Sequence, residues 1–323
     1  MRASSIRHLS VTDASSIVAA ALFEKTVQIW SWKTGQQLGE FETMLDFGGR
    51  SLALTPDGCA CIVGARGQRG RGSRGLAAYS IPDGKLLWNR AEIRHIQNVR
   101  VSGSGQEIYC GVEGSSAYII HAATGDSVGR VRGARKIVGS RYTQHSLIVQ
   151  KRPKAVKDCQ YSNSKVGSNY PNYLMRGPSE FQIFPLSFGL LDAAFSPDAV
   201  CLSEPKDYLH PRENIGGIRL IDLEKGDSRW HLDIGSNHLA FNLSDTRFYC
   251  IAAPSADPHN SSLIRLASTI LDCDQVALLG QCWEAAFSPS GTTLVTSQGD
   301  VHETSTGDLV MHLEFPQRDY PAE

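Results

Sequence analysis

The sequence predicts an all-β protein built from repeated units of four short strands. Three observations carry this prediction. Short apolar strands alternate with turns along the chain, the same two turn motifs recur at a regular spacing, and no stretch shows sustained apolar residues at helical spacing. With 323 residues and 41% hydrophobic content, the chain is too long for one ordinary core and shows no linker that would divide it. We therefore expect residues 1–323 to form a single domain of repeated units.

The first half of each unit is an apolar strand that ends in a tight turn. Ser, Pro, Asp and Gly fill the turn because Pro presets φ, while Gly and Asp tolerate the reversal. The motif occurs as SLALTPDG from Ser51, VRVSGSG from Val99, AAFSPDA from Ala193, LAFNLSDT from Leu239 and AAFSPSG from Ala285. These segments predict the first strand, the turn and the start of the second strand.

The second half of each unit is a strand that ends in a glycine turn and is followed by one more short strand. The turn glycines are Gly35, Gly84, Gly125, Gly226 and Gly307. When two further units without this glycine are counted, the span from Gly35 to Gly307 contains six intervals that average about 45 residues, near the spacing of a four-stranded blade. Two units, near Arg135 to Phe188 and near His238 to Gly280, lack this glycine turn and are counted from strand pattern. Seven units fit, and six or eight stay open.

Four segments resemble strands of WD-repeat and related quinoprotein-like propellers: AAFSPDA at Ala193, AAFSPSG at Ala285, VQIWSWKTG at Val27 and IRLIDLEKG at Ile218. The resemblance covers nearly the whole chain and implies a seven-bladed β-propeller of four-stranded antiparallel blades. The Trp-Asp pair itself is missing, since Ser31 follows Trp30, and no Gly-His pair opens a blade. We therefore expect apolar packing between neighbouring blades to replace the polar network of the family.

The charge balance and the cysteines indicate a cytoplasmic protein. The 32 basic and 33 acidic residues nearly cancel, so no global field would draw the chain onto nucleic acid or a membrane. Neither a signal peptide nor a membrane-spanning stretch is predicted. Of the eight cysteines, Cys61, Cys110, Cys201 and Cys250 lie in short apolar runs and are expected to be buried, reduced thiols. Cys59 and Cys61 are expected on one strand, too far apart for a disulfide.

Four long insertions are expected between the second and third strands of their units, which places them on one face of the propeller. They are Arg66 to Gly75, Lys151 to Ser179, Pro205 to Gly217 and Pro254 to Ser262. Long connections without secondary structure are usually functional or disordered. Three of them supply basic and aromatic candidates for partner binding: Arg66, Arg69, Arg71, Arg74, Lys151, Arg152, Lys154, Lys157, Tyr161, Tyr170, Tyr173, Arg176, Tyr208, His210 and Arg212.

The basic insertions have three interpretations. Arg and Tyr are typical anchors of a protein interface, here facing a partner with an acidic surface. Basic residues with interleaved tyrosines could instead bind phosphates and stack on bases of RNA or single-stranded DNA. The third interpretation is a set of solvated loops with no specific role. The near-neutral net charge favours the protein partner over nucleic acid.

Motifs for chemistry are weak. Gly70, Gly72 and Gly75 match G-x-G-x-x-G, but the segment that follows reads as a strand, whereas dinucleotide binding needs a helix there. No nucleophile elbow, phosphate loop or zinc-binding helix is found, and we assign no catalytic residue, metal ligand or cofactor. Asp192 and Asp222 are expected to accept hydrogen bonds from backbone donors.

The sequence therefore favours a protein-interaction platform, such as an adaptor, a regulator or a factor that neutralises a partner. The alternatives are a lactonase-like or quinoprotein-like propeller enzyme with a site at the central channel, and an RNA or single-stranded DNA binder. We expect the first blade to begin with an inner strand near Ile6 and the last blade to finish with an outer strand at Leu309 to Phe315. We therefore expect ring closure through packing alone, with no strand pairing between the two ends.

Overall fold

A computed structural model of the chain describes residues 2–4, 6–22, 25–45, 52–65, 75–112, 116–132, 134–139, 146–151, 170–176, 179–186, 192–204, 217–232, 234, 236–252, 261–266, 273–280, 282 and 284–319. Within these, the backbone alone is described for residues 2–4, 97, 134–139, 146–151, 170–176, 179–186, 204, 237 and 317–319.

The described residues form seven four-stranded sheets and one two-stranded sheet. Each four-stranded sheet contains strands that are consecutive in sequence and antiparallel. The strands of these sheets are β2 Ile6–Val11, β3 Ile17–Leu22, β4 Thr26–Ser31 and β5 Gln37–Glu42; β6 Leu52–Leu54, β7 Ala60–Ala65, β8 Gly75–Ser80 and β9 Leu86–Arg90; β10 Ile96–Val101, β11 Glu107–Val112, β12 Ser116–His121 and β13 Ser127–Arg132; β14 Ala134–Gly139, β15 Ser146–Lys151, β16 Tyr170–Arg176 and β17 Ser179–Leu186; β18 Asp192–Phe195, β19 Ala199–Glu204, β20 Gly217–Asp222 and β21 Ser228–Leu232; β22 Ser236–Asn242, β23 Arg247–Ala252, β24 Ser261–Leu266 and β25 Cys273–Gly280; β26 Ala285–Phe287, β27 Thr293–Thr296, β28 Asp300–Glu303 and β29 Leu309–His312.

The sheets are the blades of a β-propeller. The first strand of each blade is innermost, and β26 of the last blade contacts β2 of the first, which closes the ring. The predicted all-β propeller of four-stranded antiparallel blades is confirmed. Side chains are described in six of the sheets, and the sheet β14–β17 contributes backbone positions only.

Short turns connect the first strand to the second and the third strand to the fourth. In five blades the third strand ends in a turn whose glycine N–H donates to the carbonyl oxygen four residues earlier, at 2.8 to 2.9 Å. These glycines have φ between 65° and 79°, the left-handed region that Gly adopts at little cost. They are Gly35, Gly84, Gly125, Gly226 and Gly307, as the sequence predicted.

The turn glycine also allows one blade to pack closely on the preceding one. A Cβ atom built on Gly84 would lie 2.2 Å from the Cβ of Phe41, on the outer strand β5 of the preceding blade. A Cβ on Gly125 would lie 2.7 Å from the indole of Trp88 on β9. Trp88 in turn donates from Nε1 to the carbonyl of Ala122, at 2.8 Å. A side chain at these turns would therefore push neighbouring blades apart.

Apolar packing between neighbouring blades forms the core. One cluster joins Ile29 and Phe41 of the first blade to Leu54 and Tyr79 of the second, and the described side chains form four comparable clusters at other blade boundaries. Cys61, Cys110, Cys201 and Cys250 are fully buried on second strands and are unpaired, as predicted. Cys59 is exposed in the turn before β7, so its expected place on that strand is wrong.

The two ends of the chain pair with each other, contrary to expectation. Strand β1, Arg2–Ser4, runs antiparallel to β30, Gln317–Asp319. Packing also contributes, because the rings of Trp30 and Phe315 meet edge to face with centroids 5.8 Å apart. The prediction missed β30 because the three residues Gln317–Asp319 carry no apolar pattern and acquire strand structure only by pairing.

Within the described residues, no helix is long and apolar enough to cross a membrane.

Candidate functional site at the channel mouth

The predicted partner-binding residues fall into two groups. Those that lie outside the described residues are Arg66, Arg69, Arg71, Arg74, Arg152, Lys154, Lys157, Tyr161, Tyr208, His210 and Arg212. Those placed by their backbone alone are Lys151 at the end of β15 and Tyr170, Tyr173 and Arg176 on β16. The predicted binding role of every one of them stays a prediction.

The expected insertion from Lys151 to Ser179 is too long. Residues Tyr170–Arg176 form β16, the third strand of a blade, and pair with both β15 and β17. Pro171 and Asn172 are poor strand formers, which is why this stretch resembles a loop in the sequence. Tyr170, Tyr173 and Arg176 therefore belong to a blade, and the connection between β15 and β16 comprises residues 152–169.

The four insertions leave and rejoin the propeller at one face. Ala65 at the end of β7 pairs with Gly75 at the start of β8, and Glu204 pairs with Gly217 in the same way. The other two connections join β15 to β16 and β23 to β24. We call the face at which second strands end the insertion face, and the opposite face, which carries the short turns, the turn face.

A ring of polar side chains lies on the inner strands near the insertion face. In five blades a polar residue comes directly before the inner-strand residues 9–11, 99–101, 193–195, 239–241 or 285–287: these residues are His8, Asn98, Asp192, His238 and Glu284. Four residues further along, Thr12, Ser102, Ser196 and Ser288 each donate their backbone N–H to the second strand at 2.8 to 2.9 Å, which fixes this register. We call these five residues the polar ring. His8, Asn98 and Asp192 are each less than one-tenth exposed.

Asp192 links three blades through the polar ring. Its Oδ1 lies 3.3 Å from Nη2 of Arg100 on β10, and its Oδ2 accepts the backbone N–H of Leu239 on β22 at 3.0 Å. Its own N–H donates to Oγ of Ser203 at 3.2 Å. The expectation that Asp192 satisfies a backbone donor is confirmed, and the same holds for Asp222, which accepts from the N–H groups of Glu224 and Lys225.

His8 and Glu284 face each other where the first and last blades meet. Nδ1 of His8 lies 3.9 Å from Oε1 of Glu284, at the outer limit for an ion pair. The backbone carbonyl of Glu284 accepts from Ser297 at 2.7 Å, which holds the start of β26 against β27. The ring closure therefore carries ionisable side chains at the channel mouth.

The next layer along the channel consists of small residues with one exception. Two positions after the polar ring, the inner strands carry Ser10, Ala53, Arg100, Ala194, Ala240 and Ala286. Oγ of Ser10 accepts the N–H of Leu54 at 2.9 Å and so ties two inner strands together. The guanidinium of Arg100 is thus the single large charged group in this layer of the blades with described side chains.

A cavity of about 120 Å³ runs along the inner strands. Its walls include four members of the polar ring, the small-residue layer with Arg100, and the turn residues Pro56, Ser102 and Pro289 at the far end. The cavity is the central channel of the propeller. Its mouth on the insertion face is therefore polar and ionisable, which suits recognition of a charged group.

The buried thiols nearest this site are not reactive groups. Burial raises the pKa of the Cys201 thiol well above its usual value, and Cys250 and Asp192 raise it further. Nucleophilic cysteines need a lowered pKa and access to solvent. Among the described residues, no group of three or more His, Cys, Asp and Glu side chains is placed to hold a metal ion.

The polar ring was missed in the sequence because its members differ in chemical type. The available signal was positional: a polar residue comes directly before LSV at Leu9, VRV at Val99, AAF at Ala193, LAF at Leu239 and AAF at Ala285. The segment that begins at Gly75 forms strand β8, as the sequence predicted.

Comparison with known proteins shows the fold of this chain. No protein-family model matches the sequence, and a search of curated protein sequences gives no match. Similar solved structures include hydrazine synthase of Kuenenia stuttgartiensis, with a TM-score of 0.61, 13% identity and coverage of 97% of this chain and 96% of that one. A chain of the mitotic checkpoint complex has a TM-score of 0.62 and 12% identity, and the match covers 95% of this chain and 90% of that one. The chain is therefore similar to both an enzyme subunit and a component of a protein assembly in its β-propeller fold.

Proposed function

We propose that this chain, as one propeller domain of residues 1–323, is a cytoplasmic platform that binds a protein partner with an acidic surface through its insertion face. The observation that carries the proposal is that the strand ends flanking all four insertions lie on one face, the same face on which the channel mouth is polar. A rigid ring that displays several long connections on one face offers a broad preorganised surface, which lowers the entropy cost of association.

The basic residues of two insertions favour an acidic partner at the insertion face. The connection from residue 66 to residue 74 contains four arginines, and that from 152 to 169 contains Arg152, Lys154, Lys157 and Lys165. Arg and Tyr are enriched at protein interfaces because they combine large contact area with hydrogen bonding. The turn face has short connections instead, so it offers less adaptable surface.

The ionisable side chains at the channel support binding more than catalysis. Asp192 is engaged by Arg100 and by a backbone N–H, and His8 is opposite Glu284. These contacts hold inner strands of different blades together. The similar chain of the mitotic checkpoint complex is part of a protein assembly, so a propeller of this fold can serve in a complex.

The test is a capture experiment from the native cell extract with matched variants. One variant replaces residues 152–169 by a short Gly-Ser turn, which leaves β15 and β16 intact. A second changes the four arginines of residues 66–74 to Gln. The control changes the exposed lysines of the turn face, K33Q, K85Q and K225Q.

The proposal expects one stoichiometric protein that is lost or weakened at least tenfold with the insertion variants and is retained with the lysine control. The captured protein is then purified and its affinity measured again with each variant. Capture that disappears after nuclease treatment would assign the face to RNA or single-stranded DNA instead. Equal capture by all variants would contradict the proposal.

A further inference from the structure

Arg100 has more hydrogen-bonding capacity than its surroundings use. Nη2 lies 3.3 Å from Asp192, and Nη1 lies 3.4 Å from the carbonyl of Val99, both long for a guanidinium. The remaining N–H groups of its fork have no acceptor among the described residues. The side chain is 27% exposed, and that exposed part faces the central cavity.

The position of Arg100 gives its guanidinium room for a ligand. Equivalent positions in the other blades with described side chains carry only Ser or Ala, so the channel is wide at this layer. A cavity of about 120 Å³ holds a group of about six heavy atoms. A carboxylate with one or two methylene groups is within this limit.

The acidic residues of the cavity are already engaged. Asp192 contacts one N–H group of Arg100 and accepts the N–H of Leu239, while Glu284 lies opposite His8. The N–H groups of Arg100 that have no acceptor in the described part of the chain lie in one plane, and such a planar fork binds a carboxylate through two parallel hydrogen bonds. Such a carboxylate would bind on the edge of the guanidinium that Asp192 leaves open.

We infer that Arg100 forms a carboxylate-binding site in the central channel and that it receives an Asp or Glu side chain of the partner. This inference rests on the proposed function, because the acidic side chain enters from the insertion face, where the partner is proposed to dock. It adds a central anchor to the basic insertions. Buried anchors at the centre of an interface contribute more affinity than contacts at its rim.

The first test uses propionate, which has the structure of a glutamate side chain, and propionamide as its neutral analogue of the same shape. Ligand-observed NMR at constant ionic strength measures the binding of each to the intact chain and to R100Q. We expect propionate to bind and propionamide to bind at least tenfold more weakly, and we expect R100Q to lose the difference.

The matched control is R130Q on the outer strand β13. Arg130 lies over the ring of Tyr118 and donates to Ser116, far along the blade from the channel. This variant should keep propionate binding. The double variant R100Q/D192N removes both charges of the Arg100–Asp192 pair, so it separates loss of ligand binding from the effect of leaving Asp192 without its cation.

The second test measures the captured protein partner against the same variants. A tenfold or greater loss of affinity with R100Q and R100Q/D192N, and none with R130Q, supports insertion of an acidic side chain. If propionate binds through Arg100 but no protein partner is found, the site binds a free small carboxylic acid and the proposed function fails. If the partner binds R100Q, R100Q/D192N and R130Q equally well, and R100Q does not change the binding of propionate, the inference is overturned although the proposed function stands.

Discussion

The two faces of the propeller are built on different principles. On the turn face, glycines with positive φ close short turns, and turns such as those at Gly84 and Gly125 pack against the blade before them. On the insertion face, connections of very different length leave the strands, and polar side chains surround the channel. The turn face therefore fixes the geometry of the ring, whereas the insertion face carries the long connections. Binding is therefore proposed where the repeat pattern is least regular.

Each face also closes the ring in its own way. On the turn face, the carboxylate of Asp13 accepts hydrogen bonds from the backbone N–H and from Oγ of Ser290, at 2.6 and 2.8 Å. On the insertion face, β1 and β30 pair next to the first inner strand. Two independent links between the ends of a ring resist its opening better than one, because both must break together.

Removal of the last outer strand should have the largest effect and should open the ring at its closure. Truncation after Asp308 removes β29, Leu313 and Phe315, and the last two are buried against the first blade. It leaves β28 as an unpaired edge, which invites association with other chains. We expect most of the protein to elute as large aggregates in size-exclusion chromatography with light scattering.

The control for that truncation ends the chain after Asp319 and keeps both β29 and β30. It should remain monodisperse, with the elution volume of the intact chain. If the chain truncated after Asp308 were equally monodisperse and folded, closure would not depend on the outer strand and its buried residues.

Alanine substitutions at two glycines with similar positive φ test how tightly each face of the propeller is packed. Gly291 on the turn face has φ 73°, and a Cβ built on it would lie 2.3 Å from the carbonyl oxygen of Phe241. Gly280, which ends an outer strand, has φ 63° and has nothing within 4 Å of such a Cβ. We expect G291A to lower the free energy of unfolding by about 3 kcal/mol, because strain and overpacking add.

The matched variant G280A should cost about 1 kcal/mol, since it carries the strain of positive φ alone. Urea unfolding of both variants measures the difference. Equal losses of unfolding free energy would mean that the turn face accommodates an added methyl group as readily as the opposite end of the blades.

The sequence predicted the regular parts of the molecule well because their signals are local. Gly84 and Gly125 mark turns whose backbone requires glycine, and the strands between such turns follow from their apolar residues. Strand β16 was assigned to a loop because Pro171 and Asn172 are poor strand formers. It becomes a strand through its pairing with β15 and β17. Strand β30 was missed because its three polar residues form a strand only through pairing with β1.

The candidate site was less predictable than the fold. The positions of the insertions follow from the order of the strands, but the inward position of Arg100 depends on register. Asp192 and Arg100 are 92 positions apart in sequence and meet only in the closed ring. A prediction of such a contact needs the three-dimensional arrangement of the blades, which no local pattern contains.

The turn-face link between the first and last blades should contribute a moderate part of the stability. We expect D13A to lower the free energy of unfolding by about 2 kcal/mol, because it leaves the N–H and hydroxyl groups of Ser290 without their charged acceptor. The control D126A changes an exposed turn aspartate of a blade away from the closure and should cost less than about 0.5 kcal/mol. Equal urea midpoints for D13A and the intact chain would contradict a role in closure.

The smallest expected effect is a pH dependence that arises at one turn of the turn face. The backbone N–H of Lys225 and the guanidinium of Arg229 lower the pKa of Asp222 from 3.8 to about 2. Because the folded-state pKa is depressed, the carboxylate stabilises the fold above pH 3.8, and this contribution is lost as the pH falls towards 2. D222N keeps a side-chain oxygen for the turn but cannot ionise. The intact chain should therefore lose more stability than D222N between pH 5 and pH 2.5, as urea midpoints at the two values would measure, and identical losses would mean that the charge of Asp222 does not stabilise its turn.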